Sequence, residues 1–184
     1  MSIGDLPTTL EVDGVNYPIR THFKNALLCY DALLNPDLSD FEKQAIILRI
    51  IYKDTIPPDT TKALEKAAWF LDYGDTPKPK EAPYKTFDWK QDESMIFSAV
   101  NKVAGCETRI QPYIHWWTFL GYFQEIPSES MYAQVLRIRK LKAEGGKRMT
   151  EDDRRFFKTH REIIEIRERT LEDDEEEAFI NSLI

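Results

Sequence analysis

The chain has 184 residues, a net charge of −7, 42% hydrophobic and 12% aromatic content and only seven glycines, which excludes fibrous and disordered classes and leaves room for a real core. No apolar run approaches the roughly 18 residues of a membrane span, and no basic-then-apolar segment begins the chain. The two cysteines, Cys29 and Cys106, lie far apart without a Cys-x-x-Cys spacing, so buried reduced thiols in a soluble intracellular protein are expected.

The chain opens on a hairpin signal. Thr8 to Val12 and Val15 to Ile19 flank Asp13-Gly14, a pair that supplies the positive φ angles of a tight type I′ turn. Pro18 removes a ladder donor, so the second strand is an edge or ends early. An isolated two-stranded hairpin is marginal in water, and this one must pack on the helices or pair with another copy. Thr21 is a candidate cap for a helix to Leu34, with Phe23, Leu27, Tyr30 and Leu34 on one stripe. Ser39 and Glu42 form a capping box that starts a helix to about Tyr52. Its stripe is Phe41, Ala45, Leu48 and Tyr52, while Ile46 and Ile50 point the other way, either into a fully buried surround or toward a partner.

Pro57-Pro58-Asp59 starts a third helix with Leu64, Ala67, Ala68 and Leu71 inward and Gly74 as its stop. A proline- and lysine-containing loop over 75–86 leads to Asp88, a cap for a helix to Ala104. Pro112 and Pro127 bracket an aromatic run in which Trp116, Trp117, Phe119, Leu120 and Phe123 cover more than half a helical wheel and are expected to form the structural core. Ser128 starts a helix closed by Gly145-Gly146, and Thr150 with three following acids starts one running toward Arg169. The pattern predicts a mainly α fold, a compact bundle of about six to seven helices with an N-terminal β-hairpin. It forms one domain over 1–170, followed by an acidic tail over 171–184.

Charge is unevenly placed. Residues 1–133 carry 13 Lys and Arg against 19 Asp and Glu, residues 134–169 carry 12 against 7, and 170–184 carry six acids alone. Phe179, Ile180, Leu183 and Ile184 follow those acids at spacings that would form one stripe in a helix, a second candidate partner surface. The basic strings Arg137-x-Arg139-Lys140 and Arg154-Arg155-Phe156-Phe157-Lys158 hold the cations and aromatics a nucleic acid needs, but their interleaved acids read as a solvated helix face with ion pairs. His22, His115 and His160 sit in separate elements without metal-ligand spacing, and there is no phosphate loop, nucleophile elbow or zinc-protease string. Paired acids such as Asp92-Glu93 are accounted for as helix-start residues. No catalytic residue, cofactor or metal is expected.

Several strings together resemble the bacteriophage gene-product-fifteen family of siphophage and prophage tail modules. They are Leu6 to Ile19, the Pro57-Pro58-Asp59 helix start, Ile114-His115-Trp116-Trp117 with Phe119 and Phe123, Arg137-x-Arg139, and the Arg154-Arg155 helix. The resemblance spans about residues 5–165, and its most specific part is the His-Trp-Trp string. It implies a small helical protein encoded before the tape-measure gene. Such a protein is expected to act in the host cytoplasm as a tail assembly chaperone for the tape-measure and tail-tube proteins, with possible self-association, and to be absent from the finished virion. A permanent neck or tail adaptor, or a nucleic-acid-associated phage protein, is the alternative.

Overall fold

The computed structural model describes residues 4–75 and 86–166. Among these residues the protein is mainly α, with eight α-helices, one short 3-10 turn and an N-terminal antiparallel hairpin. They fall into two compact units, the first within Met1–Ala82 and Ile96–Pro127, the second within Pro83–Met95 and Ser128–Ile184.

In the first unit, β1 (Thr9–Val12) and β2 (Val15–Pro18) pair with Leu10 opposite Tyr17 and Val12 opposite Val15. Asp13 and Gly14 have φ of 50° and 78°, the two left-handed residues a type I′ turn needs. Leu10 and Val12 are buried and β1 packs on α3 (Thr60–Leu71), so the helices supply the support a lone hairpin lacks. Beyond Pro18 the chain bridges Ile19 to Tyr52, and Lys53 N–H donates to the Pro18 carbonyl at 3.0 Å.

Helix α1 (Phe23–Leu34) buries Phe23, Ala26, Cys29 and Ala32, which leaves Leu34 of the expected stripe exposed. Its cap is His22, one residue later than expected, because Thr21 is used elsewhere. The Thr21 hydroxyl meets the Tyr113 hydroxyl at 2.7 Å, and its carbonyl accepts from Trp116 N–H at 2.7 Å. Helix α2 (Asp40–Ile51) carries the expected Ser39–Glu42 capping box and buries Ile47, Leu48 and Ile51. Phe41, assigned to the inward stripe, is exposed instead. Helix α3 is rotated from its expected face and buries Ala63, Ala67, Phe70 and Leu71. Small Ala63 lets the Tyr52 hydroxyl reach its carbonyl at 2.9 Å.

Tyr73, not Gly74, is the first left-handed residue after α3, with φ of 62°. Gly74 follows at 86°, and its N–H donates to the Trp69 carbonyl at 2.8 Å to close the turn. A side chain at Gly74 would come within 3.1 Å of the Trp117 ring, so its φ and its space both call for glycine. From Ile96 on, α4 (Glu93–Ala104) adds Ile96, Phe97 and Val100 to this core, where α5 (Trp116–Gln124) places Phe119 stacked on Phe23 at 4.5 Å and 3°.

The second unit is organised by a buried ion pair. In α6 (Met131–Ala143), Arg139 was grouped with the solvated basic face, but its side chain is buried and donates from all three guanidinium nitrogens. Nη1 and Nη2 reach the Asp92 carboxylate at 2.6 and 2.8 Å, and Nη1 also reaches the Thr86 carbonyl at 3.2 Å. Nε and Nη2 donate to the Ile164 and Ile163 carbonyls, each at 2.7 Å. Those two carbonyls lie at the end of α8 (Arg161–Ile164), which His160 separates from α7 (Glu151–Thr159), so the single helix expected over this stretch is broken in two. Asp92, read from sequence as a helix-start acid, is fully buried and also accepts from Asp88 N–H. Val135, Ile138 and Ile164 form the apolar cluster around the pair, with Phe156 and Phe157 packed against them.

Removing one member of a buried, bidentate pair leaves an uncompensated charge and costs about 3–5 kcal/mol. Asp92→Asn keeps the shape and should lower the unfolding free energy by that amount in urea titrations. Asp92→Leu with Arg139→Met should recover part of it while amide exchange at 161–166 stays fast, because the α8 carbonyls have lost their donors. A double variant no better than the single would show that capping, not charge pairing, is the larger contribution.

Candidate functional site

The aromatic string is a junction of three helix ends. Phe23 N–H donates to the Ile114 carbonyl at 3.0 Å and Trp116 N–H to the Thr21 carbonyl, so residues 113–115 run extended beside 20–22 and α5 starts at Trp116 rather than after Pro112. His22 and His115 face each other across this bridge and do the same work. His22 Nδ1 accepts Lys24 N–H at 3.1 Å and His115 Nδ1 accepts Trp117 N–H at 3.0 Å, each capping the helix it precedes. His115 Nε2 then donates to the Pro7 carbonyl at 3.0 Å, which fixes a neutral ring with its proton on Nε2. Burial holds the His115 pKa below the ordinary 6.5, and burial together with nearby Lys24 does the same to His22.

The two tryptophans reach the C-terminal end of α3. Trp116 Nε1 donates to the Leu71 carbonyl at 2.9 Å and Trp117 Nε1 to the Phe70 carbonyl at 2.8 Å. The Tyr30 hydroxyl adds a weaker bond to Leu71 at 3.3 Å. Trp116 and Phe119 are fully buried. Trp117, Leu120 and Phe123 are half-buried, with Trp117 against Trp69 at 5.4 Å and Tyr73 at 5.2 Å. Tyr113, which precedes the helix, is exposed.

Cys29 is buried and desolvation pushes its thiol up to about 12, so almost no thiolate forms near neutrality. Cys106 is exposed. His160 packs on Phe156 at 4.5 Å. Of the basic cluster, Arg137 pairs with Asp153, Arg148 with Glu144, Arg161 with Glu165, and Lys142 with Glu165 while lying 4.5 Å above the Phe157 ring. Phe156 and Phe157 are half-buried and pack against the apolar cluster. Thr150 and Asp153 form a capping box, and the Thr150 amide with Arg137 holds the Asp153 carboxyl below its usual range.

Ile46 and Ile50 are half-buried, and Phe179, Ile180, Leu183 and Ile184 lie outside the described residues. Among the described residues no three His, Cys, Asp or Glu groups converge to hold a metal ion, and no helix is long and apolar enough to cross a membrane.

Sequence reasoning missed two sets of residues. The first is Arg20, whose Nη1 and Nη2 donate to the carbonyls of Arg49, Tyr52 and Lys53 at 2.7–2.9 Å and close the end of α2. The second is the exposed apolar group around the α1–α2 turn, signalled only by Leu33-Leu34 ending a helix and Phe41 beginning the next.

The fold and its side-chain placement define a small, mainly α protein in which several buried polar side chains serve helix ends and a few exposed apolar side chains flank the α1–α2 turn. A family model described as Bacteriophage Gp15 protein matches residues 3–166, and the chain belongs to that family. No curated protein and no solved structure matches it.

Two expectations follow from the junction. Trp116→Ala should cost about 3–5 kcal/mol, the usual loss for a buried large aromatic, and Trp117→Ala clearly less, because water can reach the Phe70 carbonyl it exposes. Equal losses in chemical denaturation would contradict this ranking. The histidines set a pH dependence. Their folded pKa values lie below 6.5, so the unfolded chain takes up protons first as the pH falls; the stabilisation is complete above 6.5 and is lost from there down through the lowered folded values. The melting temperature should fall between pH 7 and 5, and His115→Asn, which retains a capping acceptor without a titrating ring, should flatten that fall. An unchanged pH profile in the variant would remove His115 as a cause.

Proposed function

We propose that this phage protein is a tail assembly chaperone that works by protein–protein contact with the tape-measure and tail-tube proteins in the host cytoplasm. The observation that carries the reading is membership of the Bacteriophage Gp15 family over residues 3–166. Two features of the chain support it. Its three histidines and Cys29 occupy structural positions, which is in keeping with a role in binding. It also keeps large apolar side chains on its surface, as a protein that covers another's apolar surface must.

Co-expression with the tape-measure protein of the same phage is the direct test. The long helical partner should remain in the soluble fraction and co-purify with this chain, and unchanged insolubility would overturn the reading. Mass spectrometry of purified particles separates the chaperone from a permanent adaptor. A chaperone is absent, whereas an adaptor is present at fixed copy number.

A further inference from the structure

Leu33 and Leu34 of α1 and Phe41 of α2 are 40%, 51% and 79% exposed. They bracket one short connection, since α1 ends at Leu34 and α2 begins at Asp40. The turn is held in place. Asn35 Oδ1 accepts Asp37 N–H at 2.9 Å, Ser39 and Glu42 cap each other reciprocally, and α1 and α2 pack together behind it. The apolar side chains therefore stand on a fixed support, which lowers the ordering cost of binding. Phe41 is about 140–180° round the helix from Ile46 and Ile50, so this surface is distinct from theirs.

Charge decides what can sit there. Between Leu33 and Glu42 the chain carries Asp37, Asp40 and Glu42 and no Lys or Arg, and with Lys43 just beyond, the stretch remains net negative. A second copy pairing through the same surface would set those acids against each other, because a two-fold contact brings a patch onto itself. The chain's own apolar end, Phe179 to Ile184, follows six consecutive acids and meets the same repulsion. An occupant must bring apolar side chains edged with positive charge. We propose that the α1–α2 turn is a docking surface for another protein's amphipathic helix, one with an apolar stripe bordered by Lys and Arg.

Three designed peptides of about 20 residues serve as probes with the full-length chain. One has a leucine stripe flanked by lysine, one has the same stripe flanked by glutamate, and one has the first composition scrambled so that no stripe forms. The lysine-flanked helix should bind at least about tenfold more tightly than either control at roughly 0.1 M salt, where diffuse attraction to a negatively charged protein is partly screened. Backbone amide shifts should map to 33–43, and Leu34→Ser with Phe41→Ser should abolish the preference without lowering the melting temperature. Four outcomes would overturn the proposal. These are no preference among the peptides, shifts centred elsewhere, a dimer in sedimentation that the double serine variant dissolves, or a gain in peptide binding on deleting 171–184. The third would assign the surface to a second copy and the fourth to the chain's own end.

Discussion

A helix cannot satisfy its own last carbonyls, and in this protein long side chains from distant parts of the sequence do it. Arg20 closes α2 from about thirty residues upstream, the two indoles of α5 close α3 from 45 and 47 residues downstream, and Arg139 closes α8 from 24 and 25 residues upstream. A local requirement thereby becomes a tertiary one. Each such bond is worth only about 1 kcal/mol net when both groups are neutral and more when one is charged, but leaving the buried acceptor without a donor costs the full desolvation. Positional accuracy follows from that asymmetry. Arg139 is the extreme case, because its guanidinium meets one carboxylate and three carbonyls and has no alternative arrangement that satisfies them all.

The opposite helix ends are handled by residues of another kind. Asx and hydroxyl caps serve α2, α3, α6 and α7, but α1 and α5 use histidine, and the two imidazoles lie across a single bridge. Within His115-Trp116-Trp117 the first residue caps its own helix and the next two cap another, so three consecutive side chains join β1's approach, α3 and α5. This accounts for the string as a structural unit. Its aromatic rings are committed to packing and its polar atoms to backbone groups, which leaves binding to the surface.

The hairpin, its turn, the α2 capping box, the Thr150 cap of α7 and the mainly helical pattern are legible because each is written in a few adjacent residues. Helix faces were less so. In α1 the buried set drifts through Phe23, Ala26, Cys29 and Ala32, the last three small residues that fit a close approach of neighbours which periodicity cannot see. The start of α5 moved from Pro112 to Trp116 because a bridge to 20–22, invisible in local sequence, holds the approach extended. Arg139 and Asp92 were misread for the same reason: a charged residue among charged neighbours looks solvated until the fold brings its partner from 47 residues away. Their burial is a property of tertiary context, not of composition.

The exposed turn is best understood against the other apolar residues at the surface. Single exposed hydrophobic side chains are ordinary and need no explanation. Tyr113 is exposed, but its hydroxyl serves Thr21, and Leu6, Val15, Ile56 and Met131 are exposed at scattered positions. Leu33, Leu34 and Phe41 differ in flanking one short connection between packed helices. Phe41 sits at the second position of a helix already started by a complete capping box, where a polar residue would fold as well. Folding therefore does not require its apolar character, nor the absence of any cation between 33 and 42. Both features are what a surface needs when it must attract a basic, apolar partner and resist pairing with itself.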